Sequence, residues 1–411
     1  MRNRPSAAGL LTVIVLFQLS AFALLSFRGG SFDYAAIVMG VISSALLVFQ
    51  YGILKALFRG IDRYVLIISN TLAGVGLIVQ YRLEPSIAHR QIVFLAIGMV
   101  VMMAVMLIIR KIFIWDGSVW WLMGLSLVFL ASSLVFGRTV GGARNWFNIF
   151  GFSLQPSEFV KVALVFISAA CFSRVQKKRQ LLPIILFTGA CLMILVVSRD
   201  LGAALLYAGT VLIMFYAATS DILLTGAGLL AAGVGAVASY HLFDHVKVRV
   251  EMWKNPWADY SNKGYQIVQG LMAIASGGFL GLGLGNGSPG SIPARHTDYI
   301  FAVICEEFGM IFGFAVVAFY LVLVVRGALI ALGASNRFHA LLALGCTSLL
   351  TLQSFIIIGG VIKLIPLTGI TLPFISYGGS SMIASMALMG ILQAVATMNS
   401  DERDRSVVAD G

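Results

Sequence analysis

Twelve long apolar stretches constrain the fold of this 411-residue chain more than any other feature. A helix needs about 20 apolar residues to cross the hydrocarbon core of a bilayer, and each stretch is close to that length or longer. None has the period-two alternation of barrel strands. We therefore expect an all-α polytopic membrane protein of about twelve transmembrane helices, near 9–27, 35–57, 62–80, 92–114, 119–136, 156–173, 181–198, 201–217, 222–243, 299–326, 337–361 and 375–398.

The composition excludes several other classes of protein. Hydrophobic residues make up 59% of the chain and charged residues only 11%. A soluble domain carries about 25% charged residues, so a soluble globular protein, a disordered chain and a nucleic-acid-binding protein are excluded. The net charge of +11 could suggest a nucleic-acid partner. In a chain this apolar, basic residues that anchor the cytoplasmic side of a membrane explain that charge better.

The basic residues also predict the orientation of the chain. An even number of spans places both termini on one side, and the basic cluster at 174–179 is typical of a cytoplasmic loop. Arg2 and Arg4 precede a first stretch that is long enough to remain as a span. We expect cytoplasmic N- and C-termini, an extracellular segment at 244–298, and a short, polar, mobile tail at 399–411.

Charged residues at the edges of two spans are candidates for a functional site. Ionisable groups within a membrane are costly, and they indicate function by default. Glu158 and Lys161 follow Pro156, which suits the first turn of a helix, so the two charges share one helix face. They form either a structural ion pair or one wall of a water-filled cavity. Asp200 belongs either to a simple chain reversal at 198–202 or to the same site.

The segment 244–298 is the only long soluble part of the predicted topology, and we expect a structureless, functional loop. It combines Arg249, Asp259 and Lys263 with aromatic residues and a glycine-rich stretch at 276–287. Glycine-rich backbone allows close approach to a ligand such as a phosphate. The aromatic residues are also consistent with anchors at the membrane interface.

The sequence contains little support for a dedicated metal or redox site. Glu306 and Glu307 are adjacent in a predicted helix, so their carboxylates face different directions and do not predict a shared metal site. His241 and His245 have helical spacing but no third ligand. The four cysteines have neither metal nor redox spacing, and we expect them to be small apolar core residues.

Prolines and paired glycines interrupt the apolar region at 363–381, which also contains Ser376, Tyr377, Ser380 and Ser381. Broken backbone at membrane depth is tolerated where it lines a cavity or is buried in protein. The segment therefore lines a cavity or packs as a re-entrant turn.

Together these motifs resemble the SEDS family of shape, elongation, division and sporulation proteins, the RodA/FtsW group. The resemblance covers 62–398 in the family's order, and the stretch 365–381 resembles the family signature at nearly every position. The other matching motifs are Gly142, Ala143, Arg144 and Trp146; 155–158 with Lys161; 200–202; 264–266; and 296–298 with 306–309.

The resemblance implies a ten-span core at 62–398, to which this chain adds two N-terminal helices at 1–61. It implies a peptidoglycan glycosyltransferase that polymerises lipid II on the outer face of the bacterial cytoplasmic membrane, with a class B penicillin-binding protein as partner. Members commonly have a proline before the Asp-Leu-Gly motif, whereas this chain has Ser198 and Arg199 there. No role is therefore assigned to Arg199.

The family's essential aspartate matches Asp259, and the chemistry of the implied reaction suits a carboxylate. A sugar hydroxyl must lose a proton, which one positioned carboxylate can accept as general base. The pyrophosphate leaving group is already anionic, so cations are needed rather than a second acid. A divalent cation, Mg²⁺ or Mn²⁺, is compatible with this chemistry. The candidate cations are Arg144, Lys161, Arg249, Lys263 and Arg295.

Two other functions stay open besides the enzyme. A flippase for lipid-linked sugars also has many spans, intramembrane charges and broken segments. The second alternative is a non-catalytic scaffold for a penicillin-binding protein. Polar groups concentrate on the outer side, which favours the enzyme. Its candidate substrate-binding residues are Arg90, Arg144, Glu158, Lys161, Asp200, Arg249, Lys263, Arg295, His296, Asp298, Glu306, Ser376, Tyr377, Ser380 and Ser381.

Overall fold

The apolar stretches form helices along nearly their whole length. The computed structural model describes residues 7–27, 32–111, 116–140, 143–149 and 152–409. Within these ranges twelve helices are long and apolar enough to cross a membrane, which confirms the predicted number. Two further α-helices, α10 and α11, are shorter. In chain order the α-helices are α1 Ala7–Ser26, α2 Tyr34–Leu57, α3 Arg63–Leu83, α4 Pro85–Lys111, α5 Asp116–Phe136, α6 Pro156–Ser173, α7 Leu182–Val197, α8 Leu201–Thr219, α9 Ile222–Leu242, α10 Asp244–Lys254, α11 Tyr265–Gly277, α12 Ile300–Leu332, α13 Arg337–Val361 and α14 Gly379–Ala409.

Short polar side chains determine where several helices begin. Asp33 accepts hydrogen bonds from two N–H groups in the first turn of α2, at 2.9 and 3.3 Å. Asp62, Asp200, Asp221 and Asn336 cap α3, α8, α9 and α13 in the same way. These N-terminal N–H groups have no partner within the helix, so each cap stabilises its helix by about 1 kcal/mol.

Side-chain contacts between helix ends agree with an up-and-down order of the spans. We call the end of the bundle that carries α10 and α11 the loop side, and the end that carries 401–409 the tail side. On the tail side Arg110 pairs with Asp401 at 2.8 Å and Lys178 pairs with Asp221 at 3.0 Å. On the loop side the Tyr81 hydroxyl donates to the Asp33 carboxylate at 2.8 Å. All of these partners are on the side that an up-and-down order of twelve spans requires.

The most buried long helices are α3, α13 and α14, whereas α9 lies at the edge of the bundle. Helix α3 is buried from 65 to 81 and packs against α1, α4 and α12. Helix α13 is mostly buried and packs against α6, α8 and α12. Helix α9 has no buried residue, and its main neighbours are α8 and α10. Apolar side chains on α9 therefore face lipid.

Three short antiparallel strands between α5 and α6 were not predicted by the sequence. They are β1 Arg138–Val140, β2 Ala143–Ile149 and β3 Phe152–Leu154, in the order β1-β2-β3. Phe147 pairs with Leu154, so β3 leads directly into the start of α6. The sheet thereby places residues of β2 beside the loop-side ends of the helices.

The prediction of a structureless loop was wrong. The segment 244–298 is not structureless, because it contains α10, α11 and two short 3₁₀ helices, Pro256–Asp259 and Pro289–Ser291. Helix α14 continues through the predicted tail to Ala409. Asn399 donates to the carbonyl oxygen of Ile330 and Asp401 accepts from Arg110, so the first residues of the tail contact the bundle.

The glycine-rich stretch contacts the broken helix α12 rather than open space. Gly309 has φ 86° and ψ 167°, which interrupts the helical hydrogen bonds of α12. The N–H groups of Leu282 and Gly283 donate to the carbonyl oxygens of Glu306 and Glu307, each at 2.9 Å. The loop therefore supplies bonds that α12 lacks. The close approach that these glycines allow is made here to the backbone of α12.

Candidate active site

A cavity of about 460 Å³ lies among the loop-side ends of the helices. The start of α6, the turn between α7 and α8, helix α10, the start of α11 and the broken segment before α14 all contribute to its wall. The segment 363–381 therefore lines a cavity, as one of its two predicted alternatives required. Seven of the predicted site residues line this cavity: Glu158, Lys161, Asp200, Arg249, Lys263, Asp298 and Tyr377.

Lys161 connects α6 to α13 and to the broken segment. Its ammonium group pairs with Glu158 and donates to Gln353 at 3.0 Å. Gln353 in turn donates to the carbonyl oxygen of Thr371 at 2.8 Å, and the Thr371 hydroxyl lies 2.6 Å from that of Ser381. Lys161 is only 1% exposed, and a buried charge persists only when it is paired. The ion pair is thus both structural and part of the cavity wall.

Asp200 organises the cavity through hydrogen bonds to the protein. One carboxylate oxygen accepts from Asn145 at 2.8 Å, from Gln155 at 3.0 Å and from Ser157 at 3.1 Å. The other oxygen caps α8 by accepting from the N–H of Ala203 at 3.2 Å. Four protein donors occupy most of the acceptor capacity of this carboxylate. Asp200 therefore positions the wall, which joins β2, α6 and α8.

Arg249 and Asp298 approach each other around the backbone of the broken segment. Arg249 donates to the carbonyl oxygen of Thr368 at 2.9 Å. A Cβ built on Gly369 would lie 3.6 Å from Nη2 of Arg249 and 3.7 Å from Oδ2 of Asp298. Burial raises the pKa of Asp298 to about 6, and the Thr297 hydroxyl and Arg249 only partly oppose this effect. The pKa of Asp298 therefore lies above the ordinary range of an aspartate.

Asp259, the predicted general base, does not line the cavity. It ends the 3₁₀ helix Pro256–Asp259, and it is partly exposed. Its carboxylate accepts from the side chain of Asn262 at 3.3 Å, and its carbonyl oxygen accepts from the N–H of Gly264 at 2.9 Å. Lys263, four residues further on, does line the cavity. Asp259 is thus a chain neighbour of a cavity residue and is not itself part of the cavity wall.

Glu306 was predicted to bind substrate, and the structure places it elsewhere. Its carboxylate accepts from the N–H of Ser288 at 2.9 Å and does not line the cavity. Glu307 accepts from Gly285 at 3.3 Å and pairs with Arg82 at 2.9 Å. Both carboxylates accept hydrogen bonds from backbone N–H groups of the loop before α12. These bonds hold the glycine-rich stretch against α12.

Other predicted residues lie outside the cavity wall. Ser376 and Ser380 donate to backbone carbonyl oxygens at 2.7 and 3.3 Å, so they stabilise the broken segment. Arg295 donates to a carbonyl oxygen at 3.4 Å. Burial and, secondarily, Arg295 lower the pKa of His296. Arg90 is exposed on α4. None of these five residues is in the cavity wall.

Sequence reasoning did not assign several polar residues that build the site. Gln353 is a polar residue within a predicted apolar span. A polar residue at such a position indicates a functional or packing role, so the sequence could have identified it. Asn145 belongs to a motif that was noted, but only its neighbour Arg144 was assigned a role. Arg144 lies in β2, and its side chain lies outside the described part of the structure. Tyr207 donates to a backbone carbonyl oxygen of α6 at 2.7 Å, and Arg82 donates to the glycine-rich stretch at 3.0 and 3.1 Å.

A dedicated metal site has no ligand set in the described ranges. Among those residues, no three side chains of His, Cys, Asp or Glu lie close enough together to hold a metal ion. Glu158 and Asp200 already have protein partners. We therefore assign no protein ligands to a divalent cation.

Fold and cavity define a polytopic membrane protein whose extramembrane segment adjoins a charged cavity among the loop-side helix ends. Residues 52–401 match the FtsW/RodA/SpoVE family model, described as a cell cycle protein. Since that match covers most of the chain, the protein belongs to this family, which confirms the resemblance seen in its motifs.

Two relatives and one solved structure illustrate the similarity. A Mycobacterium bovis protein named peptidoglycan glycosyltransferase RodA is 38% identical over 288 residues, which cover 66% of this chain and 61% of that protein. A protein of the same name from Mycobacterium leprae is 33% identical, over 94% of this chain and 88% of that protein. A chain from a peptidoglycan synthase complex, solved to explain how polymerization and crosslinking are coordinated, superposes with a TM-score of 0.70. Its identity is 26%, over 82% of this chain and 98% of that chain.

Proposed function

We propose that this protein is a peptidoglycan glycosyltransferase that polymerises lipid II into glycan strands. The observation that supports this proposal most is the cavity on the loop side, which is lined by Lys161, Arg249 and Lys263. A cationic cavity at the end of a membrane bundle suits a ligand whose pyrophosphate joins a lipid to a sugar. The names of the two mycobacterial relatives agree with this activity.

The proposed reaction separates proton transfer from charge stabilisation. Asp259, four residues before the cavity residue Lys263, accepts the proton of the acceptor hydroxyl as it attacks the anomeric carbon. The bond to the pyrophosphate breaks, and the cations in the cavity wall stabilise the departing negative charge. A divalent cation would add to this stabilisation, and the pyrophosphate itself offers the oxygen ligands that Mg²⁺ prefers.

A class B penicillin-binding protein is the proposed partner, since the structurally similar chain comes from a complex that couples polymerization to crosslinking. We place the protein in the bacterial cytoplasmic membrane with its N- and C-termini in the cytoplasm. The basic cluster at 174–179 lies on the tail side, which supports this orientation. The loop side then faces outward, where the glycan is made.

A flippase is less well supported by the arrangement of charges. The charged cavity lies on the loop side. On the tail side, described charges such as Asp62 and Arg326, or Lys178 and Asp221, pair with one another. A flippase should present a charged pathway on both sides of the membrane. A purely scaffolding protein would not need the cations that line this cavity.

Replacement of Asp259 tests the proposal. We expect purified wild-type protein to polymerise fluorescent lipid II in the presence of a class B penicillin-binding protein. Asp259→Asn should lower the rate at least about 100-fold, since it removes the general base but keeps the side-chain shape. Gel analysis of the labelled glycan product measures both rates.

The matched control is Asp244→Asn, which changes an exposed acid at the start of α10, away from the cavity wall. It should retain the wild-type rate. Full activity in Asp259→Asn would contradict the role of Asp259. Lipid translocation by wild-type protein without any polymer, in reconstituted vesicles, would contradict the enzyme itself.

A further inference from the structure

The turn between α7 and α8 contains a charged residue that the proposed reaction does not use. Arg199 lines the cavity together with its neighbour Asp200. Its side chain is exposed, and among the described residues no carboxylate or carbonyl oxygen pairs with its guanidinium group. Asp200 is not its counter-ion, because that carboxylate accepts from four other protein donors. The positive charge of Arg199 is therefore available to a ligand.

The backbone of Arg199 has a conformation that usually requires glycine. Its φ of 62° lies in the left-handed region. The N–H of Arg199 donates to the carbonyl oxygen of Val196 at 3.0 Å, and the N–H of Asp200 donates to that of Leu195 at 2.8 Å. These two bonds form the Schellman motif that ends many helices, in which glycine is preferred at the left-handed position. Arginine here costs free energy that glycine would avoid, and such costs are concentrated at functional sites.

The same turn explains why this chain differs from the family at the residue before Asp-Leu-Gly. Proline fixes φ at about −65° and has no N–H group. It could neither adopt the positive φ of Arg199 nor donate a hydrogen bond to Val196. The turn is therefore built differently in this chain, and it carries a charge that a proline would not supply.

A second arginine lies near Arg199 on the α10 side of the cavity. Arg249 of α10 also lines the cavity. Burial lowers the pKa of His245 on α10, and the charges of Arg249 and Arg199 lower it further, against an opposing effect of Asp244. Both guanidinium groups are therefore close enough to one imidazole to affect its charge. Positive charge accumulates at this part of the wall, where an anion would be stabilised.

We propose that Arg199 binds a phosphate group of the lipid-linked sugar, in a subsite that this chain adds to the cavity. The inference rests on the proposed function and deepens it by naming a further substrate-binding residue. A planar guanidinium group matches phosphate oxygens with two parallel hydrogen bonds. An anion at this position would also compensate the charges of Arg199 and Arg249 together. The alternative is a solvated surface arginine, whose removal would not change the affinity for a ligand.

Binding of a polyprenyl diphosphate to the purified, detergent-solubilised protein tests the inference, with Kd measured by microscale thermophoresis. Arg199→Gly should raise the Kd at least about tenfold, since loss of a charge-assisted hydrogen bond has this size. Arg199→Lys keeps the charge but not the planar fork, so its Kd should lie between those of wild-type protein and Arg199→Gly. The uncharged polyprenol should bind to all three proteins equally.

Thermal unfolding separates lost binding from lost folding. Arg199→Gly should unfold at or above the wild-type temperature, because glycine fits the left-handed position. Arg199→Asn, which also tolerates a positive φ, should show the same loss of affinity as Arg199→Gly. The control, Lys247→Ala, removes an exposed cation from α10 outside the cavity wall. It should bind the diphosphate like wild-type protein.

The outcomes separate this inference from the proposed function. If wild-type protein binds the diphosphate through Arg199 but makes no glycan from lipid II, the proposed function fails and the phosphate subsite stands. Wild-type affinity for the diphosphate in Arg199→Gly would overturn the inference. Displacement of the diphosphate by an equal concentration of phosphatidylglycerol in micelles would also overturn it, because the site would then accept any anionic lipid.

Discussion

Lys161 shows how a single residue can belong both to the packing of the helices and to the wall of the cavity. Its side chain is 1% exposed, and its charge is paired with Glu158 and hydrogen-bonded to Gln353. The spacing of Glu158 and Lys161 predicted their pairing, because residues three apart meet on one helix face. The partner Gln353 was not predictable, because it is 192 positions away and sequence spacing determines only local neighbours.

Lys161→Met should destabilise the protein strongly. The substitution leaves the buried carboxylate of Glu158 without its counter-charge, which typically costs about 3–5 kcal/mol. Thermal unfolding of the detergent-solubilised protein, followed by loss of the monodisperse chromatographic peak, measures the change. Lys178→Met provides the control, because Lys178 pairs with Asp221 at the exposed surface and is 79% exposed. Equal stability of the two variants would show that the Lys161 pair is not effectively buried.

At the scale of elements, the junction between α12 and the glycine-rich stretch anchors the loop side. Arg82 at the end of α3 pairs with Glu307 and donates to the carbonyl oxygens of Gly285 and Gly287. One guanidinium group therefore joins α3, α12 and the loop between α11 and α12. The same loop continues to Asp298, so its position affects the cavity wall.

Arg82→Ala should loosen this junction without unfolding the bundle. Glu307 loses its ion pair and two loop carbonyl oxygens lose their donor, while the helices keep their own hydrogen bonds. We expect backbone hydrogen exchange at 283–288 to accelerate at least about tenfold, as mass spectrometry of the solubilised protein would measure. Arg63→Ala, at the exposed opposite end of α3, should leave that exchange unchanged. Unchanged exchange in Arg82→Ala would mean that backbone hydrogen bonds alone hold the loop.

At the scale of the whole molecule, hydropathy predicted the number and approximate bounds of the spans, because length and apolarity are local properties. It did not predict β1 to β3, which are only three to seven residues long. Nor did it predict α10 and α11, since a polar segment between spans carries no strong apolar period. Seven of the candidate site residues line the cavity, and their role in a functional site stays a prediction. Motifs locate polar residues along the chain, whereas the assignment of Glu306 to the loop or to the cavity depends on packing between distant segments.

The proposed orientation predicts which positions are accessible from outside the cell. In a cysteine-free background, Glu251→Cys should react with a membrane-impermeant maleimide in intact cells, because α10 lies on the loop side. Lys178→Cys lies on the tail side and should react only after the membrane is permeabilised. Both side chains are exposed, so access to solvent within the protein does not distinguish them. The reverse labelling pattern would place the cavity in the cytoplasm.

The close contact between the glycine-rich stretch and α12 limits which sequence changes this region can accept. A Cβ on Gly281 would lie 2.3 Å from the carbonyl oxygen of Glu307, and one on Gly309 would lie 2.4 Å from the N of Gly281. The obstructing atoms belong to the backbone, which every residue type shares. No smaller side chain elsewhere can therefore make room, and a screen for second-site suppressors of Gly281→Ala or Gly309→Ala should recover only reversion to glycine.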